Sequence, residues 1–539
     1  MLILNNMSFF KNFKERMRNN PLIYILIFCL IIFLIFRILD TYSARNRELS
    51  VKAGKWDKLL LVLSEVEKNY VDSIDRDTLT EILIPYLLEN LDPHSVYLPP
   101  AELKEADESL EGNFDGIGIQ FNIPNDTAIV ISVIPGGPSE RAGLLSGDRI
   151  VKVNDETVAG VKINQDSLVA RLRGKSGSIV KIGIKRGNNN NLVYFDIKRD
   201  KIPVKSVDVR YMIDDTTGYI KLSKFTKTSY EEFLKAALEL KEKGMKELIF
   251  DLRGNAGGYF DQAFLIANEF LDKGQMIVYM QGLHRPRQDF KADGKGKLKD
   301  VVLKVLIDEG SASSSEIFAG AIQDNDRGTV IGRRSFGKGL VQEPIYFSDK
   351  SGIRLTVARF YTPTGRSIQK PYSKDYQYDI IERYKHGELT YADSIKKNDS
   401  LKYTTPKGKI VYGGGGITPD VFVPIDTVGV NHFLIEVSNK GLPFKFSSMM
   451  ADAYRPALQK IRNLQSLEVL FSKMNLEQRF LKYAADNKLV PSSKEWEESK
   501  YIITTQIKAL VGRYSPLDDE AFYPIMAEID NVIKKAIEL

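Results

Sequence analysis

A cluster of serines and one glycine-flanked lysine are the residues of this chain that together could carry nucleophilic chemistry. Residues 310–316 have the sequence Gly-Ser-Ala-Ser-Ser-Ser-Glu, residues 336–339 are Phe-Gly-Lys-Gly, and Gln342 follows shortly after. The 539-residue chain has only four histidines, none near the serine cluster in sequence, so a histidine base is not the obvious choice. The pattern therefore favours hydrolysis by a serine that a lysine activates, with Gln342 orienting the amine.

The lysine can act as a base only when its amine is neutral, so its pKa must be lowered. Burial lowers the pKa of an amine because it disfavours the charged form. The glycines on both sides of Lys338 allow other backbone segments to approach this loop closely. The hypothesis therefore predicts that the Lys338 side chain is buried.

The serine cluster also has a structural interpretation. It lies between a predicted strand, residues 301–307, and a predicted helix, residues 315–324, where a serine often caps the helix. Ser313, with Glu316 three residues later, has the spacing of a capping box. The glycine-flanked lysine is the feature that favours catalysis over simple capping.

A second glycine-rich turn could stabilise negative charge. A predicted strand, residues 247–251, leads into the sequence Leu-Arg-Gly-Asn-Ala-Gly-Gly and then into a predicted helix. Unpaired N–H groups at such a turn attract anions, and the oxyanion of peptide hydrolysis is one. The N–H groups of Gly257 and Gly258 are therefore candidates. A phosphate-binding turn or a plain connection is the alternative, although neither common nucleotide-binding motif is present.

The elements around these motifs predict an α/β core with additional modules. We expect helices over residues 56–110, a β-rich module over residues 111–200, alternating strands and helices over residues 201–430, and a helical extension over residues 431–539. Residues 372–410 are charged and irregular in pattern, which suggests an inserted surface segment. His94 lies in a Leu-Asp-Pro-His-Ser turn and is interpreted as structural.

The N-terminal region predicts a membrane anchor. Residues 22–39 are apolar apart from Tyr24 and Arg37, and a helix of this length spans about 27 Å, close to the thickness of a bilayer core. Basic residues dominate the preceding segment 1–21, which the positive-inside rule places in the cytoplasm. The catalytic part would then be periplasmic and tethered to the inner membrane after a linker, residues 40–55. A cleaved signal peptide is the alternative.

The charge and the cysteine content exclude other classes of site. The net charge of +6 is spread over 76 basic and 70 acidic residues, which gives no argument for nucleic acid as a partner. The single cysteine, Cys29, excludes internal disulfides and a cysteine-based zinc site. We expect no metal and no organic cofactor.

Taken together, these motifs resemble those of the C-terminal processing peptidases, also called tail-specific proteases. Both site loops, the turn at residues 251–258 and the Leu-Asp-Pro-His-Ser segment match family signatures, and the likeness covers residues 56–425 in the family's order. In this family the lysine follows the nucleophile at a fixed interval. The separation of 25 residues from Lys338 selects Ser313 among the serines.

The resemblance implies a membrane-anchored serine endopeptidase with a crotonase-like α/β core, an inserted PDZ domain and flanking helical segments. Ser313 would be the nucleophile and Lys338 the general base and acid, positioned by Gln342. The loop formed by Gly116, Ile117, Gly118 and Ile119 resembles the loop with which PDZ domains bind the terminal carboxylate of a peptide. The substrates would be proteins recognised near their C-termini. A homo-oligomer or an activating adaptor is left open.

Two residues depart from the family pattern. Ser314 stands where alanine is usual, yet its backbone N–H should still bind the oxyanion, because that donor does not depend on the side chain. Ala256 stands where proline is usual, which loosens the turn that carries Gly257 and Gly258. The alternative functions are a PDZ scaffold protein with a degenerate core and an acyl-CoA enzyme on a related crotonase-like core.

Overall fold

The computed structural model describes residues 28–39, 55–123, 126–187, 191–373 and 376–539. The chain falls into two compact units that divide between Tyr86 and Leu87. Among the described residues, no helix is both long enough and apolar enough to cross a membrane. Helix α1 covers residues 28–39, and residues 22–27 of the predicted anchor lie outside the described part of the chain.

The elements have the following bounds. The helices after α1 are α2 (Lys55–Asn69), α3 (Arg76–Glu89), α4 (Pro100–Glu111), α5 (Pro138–Ala142), α6 (Gln165–Leu172), α7 (Ser229–Glu242), α8 (Phe260–Asn268), α9 (Ser314–Asp324), α10 (Asp379–Lys385), α11 (His432–Asn439), α12 (Leu442–Ala453), α13 (Arg455–Leu458), α14 (Leu464–Met474), α15 (Leu476–Asp486), α16 (Ser493–Gly512), α17 (Asp519–Ala527) and α18 (Asn531–Glu538). The strands are β1 (Val96–Leu98), β2 (Asn113–Gly116), β3 (Ile119–Asn122), β4 (Ala128–Val133), β5 (Arg149–Val153), β6 (Glu156–Thr157), β7 (Ile179–Lys185), β8 (Val193–Lys198), β9 (Asp200–Pro203), β10 (Val207–Met212), β11 (Thr217–Leu222), β12 (Glu247–Asp251), β13 (Met276–Gly282), β14 (Arg285–Lys291), β15 (Val302–Ile307), β16 (Thr329–Gly332), β17 (Leu340–Tyr346), β18 (Gly352–Tyr361), β19 (Lys402–Thr404), β20 (Ile410–Tyr412) and β21 (Val421–Phe422).

A six-stranded sheet in the order β10-β11-β12-β15-β16-β21 is central to the larger unit. The β10–β11 pair is antiparallel and the other pairs are parallel. Phe250 of β12 packs against Phe233 of α7 and Phe318 of α9, with ring centroids 4.8 and 5.0 Å away. Ile249, the preceding residue, faces the opposite side, in a cluster with Val532 of α18. Alternate residues are thus buried on both faces, as parallel sheets require, and the predicted mixed α/β fold is confirmed.

A second, antiparallel sheet has the order β1-β18-β13-β14, with β17 also paired to β18. Strand β17 begins at Leu340, two residues after Lys338, and Leu340 lies opposite Arg359 of β18. The loop that carries Lys338 therefore enters this sheet directly. Its position is fixed at one end by β17 and at the other by β16, which belongs to the central sheet.

A β-rich module precedes the core. Its sheet has the order β3-β4-β5-β7-β8, so β3 is an edge strand. Val180, Ile182 and Ile184 of β7 are fully buried in a cluster with Leu168 of α6. This module packs around its own apolar cluster, as an inserted domain does.

The C-terminal helices contact both the β-rich module and the core. Arg455 donates to the carbonyl of Ser146 at 2.6 Å, and Arg149 hydrogen bonds to Asp452. In addition, Asp530, at the start of α18, accepts from the guanidinium of Arg253. The helical extension is therefore joined by ionic contacts to both neighbours.

Candidate active site

The serine cluster joins the end of β15 to α9 and rests on the turn that follows β12. The hydroxyls of Ser311, Ser314 and Ser315 donate to the carbonyls of residues 252, 258 and 255, at 2.8 to 2.9 Å. In the described chain, Ser313 is the one serine of this cluster whose hydroxyl donates to no carbonyl. Its φ of 55° and ψ of −112° are unusual for a serine, and such backbone strain costs about 1–3 kcal/mol. The strained residue is thus also the half-buried one whose hydroxyl is available.

One buried carboxylate holds the serine loop and the lysine loop together. Oε2 of Glu316 accepts the backbone N–H of Ser313 at 2.8 Å and that of Lys338 at 2.9 Å. Oε1 accepts the Ser335 hydroxyl at 2.5 Å and the N–H of Gly337 at 2.7 Å. Burial raises the pKa of Glu316, and these hydrogen bonds oppose the rise. The backbones of both predicted catalytic residues are thus held by hydrogen bonds to the same atom, Oε2 of Glu316.

The pKa of the Lys338 amine is lowered from its ordinary value, which favours the neutral form. Burial is the largest effect that lowers its pKa, and the charge of Arg354 lowers it further, whereas Glu316 and Asp92 raise it. Nζ donates to Oε1 of Gln342 at 2.8 Å, as the predicted orienting role requires. Among the described residues, Nζ and Oγ of Ser313 form no hydrogen bond with each other. The side chain is half-buried.

His94 lies beside this lysine. Nε2 of Gln342 donates to the His94 carbonyl at 2.5 Å, and the His94 ring lies 2.6 Å from the Tyr376 hydroxyl. Burial and then the charge of Lys338 lower the pKa of His94 to about 4, so the ring is neutral at pH 7. The turn predicted as structural is thus part of the support of the lysine. No local pattern predicted this contact, because it joins residues 248 positions apart.

Two backbone N–H groups beside Ser313 are free to bind an oxyanion. The N–H groups of Gly258 and Ser314 reach no acceptor within the described residues. The N–H of Gly257, in contrast, donates to Oδ1 of Asn255 at 2.8 Å. Gly257 instead provides space, because a Cβ there would lie 2.8 Å from Cβ of Ser313 and 2.9 Å from N of Ser314. Of the three predicted donors, Gly258 and Ser314 have an available N–H.

The base of this turn is fixed by a buried ion pair. Arg253 donates to Asp251 at 2.7 Å and to Asp530 at 2.8 Å, and Tyr219 donates to Asp251 at 2.7 Å. Burial alone would raise the pKa of Asp251, but the charges of Arg253 and Lys221 hold it well below its usual range. Asp251 therefore stays ionised and holds Arg253, which lies at the start of the turn.

The comparisons with known proteins identify the family. Residues 216–380 match peptidase family S41, residues 116–198 match a PDZ domain, and residues 433–515 match a family of unknown function, DUF8443. The carboxy-terminal processing protease CtpA of Bacillus subtilis (strain 168) is 34% identical over 352 residues, which cover 65% of this chain and 74% of that protein. The chain belongs to the carboxy-terminal processing proteases. It is a serine-type peptidase with a PDZ domain.

Other relatives have the same description. The carboxy-terminal-processing protease of Bartonella bacilliformis is 36% identical over 346 residues, which cover 62% of this protease and 77% of that protein. Among solved structures, the photosystem II D1 C-terminal processing protease is 26% identical, covers 70% of this chain and 89% of its own, and has a TM-score of 0.38.

The PDZ domain of this protease has an edge strand beside the predicted carboxylate-binding loop. Gly118 has a φ of 75°, and the loop that contains it, with Gly116 and Ile117, leads into edge strand β3 at Ile119. The N–H groups of Ile117 and Gly118 donate to no group in the part of the chain that the structure describes. A loop with two free N–H groups, followed by a free strand edge, is suited to a peptide terminus.

Proposed function

We propose that this protease cleaves peptide bonds with Ser313 as nucleophile and Lys338 as general base and acid. The observation that carries the proposal is the pair of hydrogen bonds that Oε2 of Glu316 accepts from the backbone N–H groups of both residues. The neutral lysine takes the proton of Oγ once substrate is bound, since catalytic hydrogen bonds often tighten only in the substrate complex. Gln342 keeps the amine oriented during this step.

The remaining steps follow from the same groups. Oγ attacks the scissile carbonyl carbon, and the resulting oxyanion accepts the N–H groups of Gly258 and Ser314. Lys338, now protonated, gives its proton to the leaving amine, and an acyl-enzyme on Ser313 remains. A water molecule, deprotonated by the same lysine, then attacks the ester carbon; the C–Oγ bond breaks, the lysine returns the proton to Oγ of Ser313, and the new C-terminus is released.

We assign the core to the crotonase-like fold on this arrangement. Its parallel strands alternate with helices. The proposed oxyanion site lies where β12 and β15 end, beside the first turn of α9, and the ends of parallel strands are where α/β proteins bind their ligands.

Two substitutions and one matched control test the dyad. Ser313→Ala should abolish cleavage of an unfolded substrate and labelling by a fluorophosphonate probe. Lys338→Arg should do the same, because an arginine keeps the positive charge but does not lose its proton. Ser315→Ala removes a neighbouring hydroxyl that bonds to the Asn255 carbonyl, and it should leave labelling intact. Cleavage by folded Ser313→Ala or Lys338→Arg protein would refute the assignment.

The PDZ domain is proposed to dock the substrate C-terminus. The free N–H groups of Ile117 and Gly118 would bind the terminal carboxylate while the peptide pairs with β3. A substrate with an amidated C-terminus should then show a raised KM. An unchanged KM would assign substrate recognition to another surface.

We also propose that the protease is tethered to the inner membrane by residues 22–39, with its catalytic part in the periplasm. The apolar composition of that segment and the basic residues before it support this topology. Resistance to alkaline extraction, and its loss when residues 1–40 are deleted, would test the tether. A PDZ scaffold without activity is not favoured, because both Ser313 and Lys338 are present.

A further inference from the structure

A cavity of about 700 Å³ lies in the protease core beside the loop that carries Lys338. Two of its lining residues hold that loop by hydrogen bonds. Oε1 of Gln369 accepts the N–H of Gly339 at 2.9 Å, and the N–H of Lys370 donates to the carbonyl of Gly337 at 3.0 Å. The cavity wall therefore contacts both glycines that flank the lysine.

The lining of this cavity is basic and phenolic. Five arginine or lysine side chains and four tyrosines line it, whereas no aspartate or glutamate does so among the residues described. Hydrogen-bond donors thus outnumber acceptors, and the local potential is positive. A cavity of this size lies within the usual range for ligand sites.

Three of the basic side chains lack a carboxylate partner. Arg334 is paired with Glu388, and Lys370 is paired with Asp379. Arg359, Lys396 and Lys397, in contrast, form no ion pair with any carboxylate in the described ranges.

Arg359 is the best placed of these three. Arg359 is exposed and lies opposite Leu340 in the β17–β18 ladder. Leu340 follows Lys338 by two residues along the chain. A guanidinium presents paired donors that match the geometry of a carboxylate. Nζ of Lys397 lies 5.8 Å from the centre of the Tyr412 ring, at the wall formed by the β19–β20 hairpin.

We infer that this cavity binds a carboxylate of the polypeptide substrate, either an acidic side chain near the scissile bond or the α-carboxylate of a terminus. The inference rests on the proposed protease function, because it takes the ligand to be a polypeptide that passes the Lys338 loop. Arg359 and Lys397 supply the charge, and the tyrosine hydroxyls supply further donors. The protease would accordingly select substrates with negative charge at a defined distance from the cleaved bond.

Binding to the full-length Ser313→Ala protein tests this without requiring cleavage. Fluorescent peptides of one sequence are compared in two arms, measured by anisotropy. The first arm compares an internal glutamate with glutamine, both with amidated C-termini. The second compares a free with an amidated C-terminus, both with glutamine inside. We expect about tenfold tighter binding of the charged peptide in at least one arm, the effect of one charge-assisted hydrogen bond.

The charge preference must depend on the cavity. Arg359→Gln combined with Lys397→Gln should remove it in the arm that shows it. Lys402→Gln combined with Lys407→Gln, an equal charge change at two exposed sites on the β19–β20 hairpin but outside the cavity lining, should leave it intact. A preference in the second arm that persists in the double variant belongs to the PDZ domain and overturns the inference for termini.

The failure of this inference differs from the failure of the proposed function. Equal binding of all peptides in both arms, with cleavage by the unsubstituted protease intact, refutes the cavity and leaves the dyad unaffected. Loss of the preference in the Lys402→Gln/Lys407→Gln control as well would also refute it, because the effect would then be one of overall charge. Inorganic phosphate at millimolar concentration is added as a competitor of the charged peptide. If phosphate displaces the peptide from the Ser313→Ala protein with its cavity unchanged, but not from the protein with the cavity substitutions, the cavity is a general anion site and the inference is overturned.

Discussion

Replacing Glu316 by glutamine tests whether one carboxylate holds both the loop of Ser313 and the loop of Lys338. The carboxylate accepts from Ser313 and Lys338 on one oxygen and from Ser335 and Gly337 on the other. An amide retains only one acceptor oxygen, so it can satisfy one pair of donors but not both. Its NH₂ group must then face the remaining pair.

The cost can be worked out for the less unfavourable orientation. The amide oxygen faces the N–H groups of Ser313 and Lys338, and the Ser335 hydroxyl rotates to accept from the new NH₂. The N–H of Gly337 is then left without an acceptor, which costs about 1–3 kcal/mol. Loss of the charge weakens the other two bonds by about 1 kcal/mol each. Relief of the buried charge offsets part of this, so the net local loss is about 3 kcal/mol.

Hydrogen exchange of the lysine loop measures this loss directly. Since 1.4 kcal/mol is a factor of ten, the backbone amides of Gly337 and Lys338 should exchange about 100-fold faster in Glu316→Gln. Fluorophosphonate labelling of Ser313 should slow in parallel, because the serine loop is released as well. Mass spectrometry of a peptide that covers residues 333–342 gives the exchange rates.

Glu269→Gln is the matched control. Glu269 is a buried carboxylate that accepts the Tyr230 hydroxyl and the N–H of Lys297 and bonds to neither the serine loop nor the lysine loop among the described residues. It should change neither the exchange of residues 337–338 nor the labelling of Ser313. Unaltered exchange in Glu316→Gln, or equal acceleration in the control, would show that another contact holds the two loops.

Further predictions concern the oxyanion turn and the C-terminal helices. Ser314→Ala removes the hydrogen bond from the Ser314 hydroxyl to the Gly258 carbonyl, which is worth about 1 kcal/mol, so kcat should fall about fivefold. Adding Ala256→Pro should restore part of this loss, and an unchanged kcat in Ser314→Ala would contradict the prediction. Gly258→Ala places a Cβ 2.0 Å from the Phe225 carbonyl oxygen at a φ of 149°, so activity should fall about 100-fold or more while the PDZ domain still binds peptide; wild-type rates would refute it. Burial, and then the charge of Asp519, raise the pKa of Asp518 from 3.8 to about 6, so the fold is increasingly destabilised as the pH rises from about 3.8 to 6, and the penalty disappears only below the unfolded-state pKa of about 3.8. Asp518→Asn should therefore be more stable by up to about 3 kcal/mol at pH 8 and by less than about 1 kcal/mol at pH 4, as two melting series would measure, and an equal gain at both pH values would contradict the assignment.

Elements governed by local chemistry were predictable from the sequence. The strand predicted over residues 247–251 is β12, and the helix predicted over residues 315–324 is α9 with one residue added at its start. Periodicity and turn residues act within a few positions of one another, so the sequence contains this information locally. The serine and lysine loops are predictable for the same reason, since each joins a strand to the next element.

The partners of these loops were not predictable in the same way. The capping-box spacing of Ser313 and Glu316 was apparent, and the structure has the bond from the Ser313 N–H to Glu316. Nothing local indicated that the same carboxylate would also accept from residues 335–338, because that depends on how two strands of the central sheet lie side by side. The basic cavity is similar: residues 396–403 line it although their pattern suggested only an irregular surface segment.

The oxyanion turn lies between these cases, because a local rule could have separated its two glycines. An asparagine side chain often accepts the backbone N–H two residues later, in an Asx turn. Asn255 stands two residues before Gly257 and accepts that N–H. The first glycine is thereby removed as a donor, and the next N–H along the chain, that of Gly258, is the one left free. In an Asn-x-Gly-Gly turn of this kind, the second glycine should supply the oxyanion donor and the first the space for close approach.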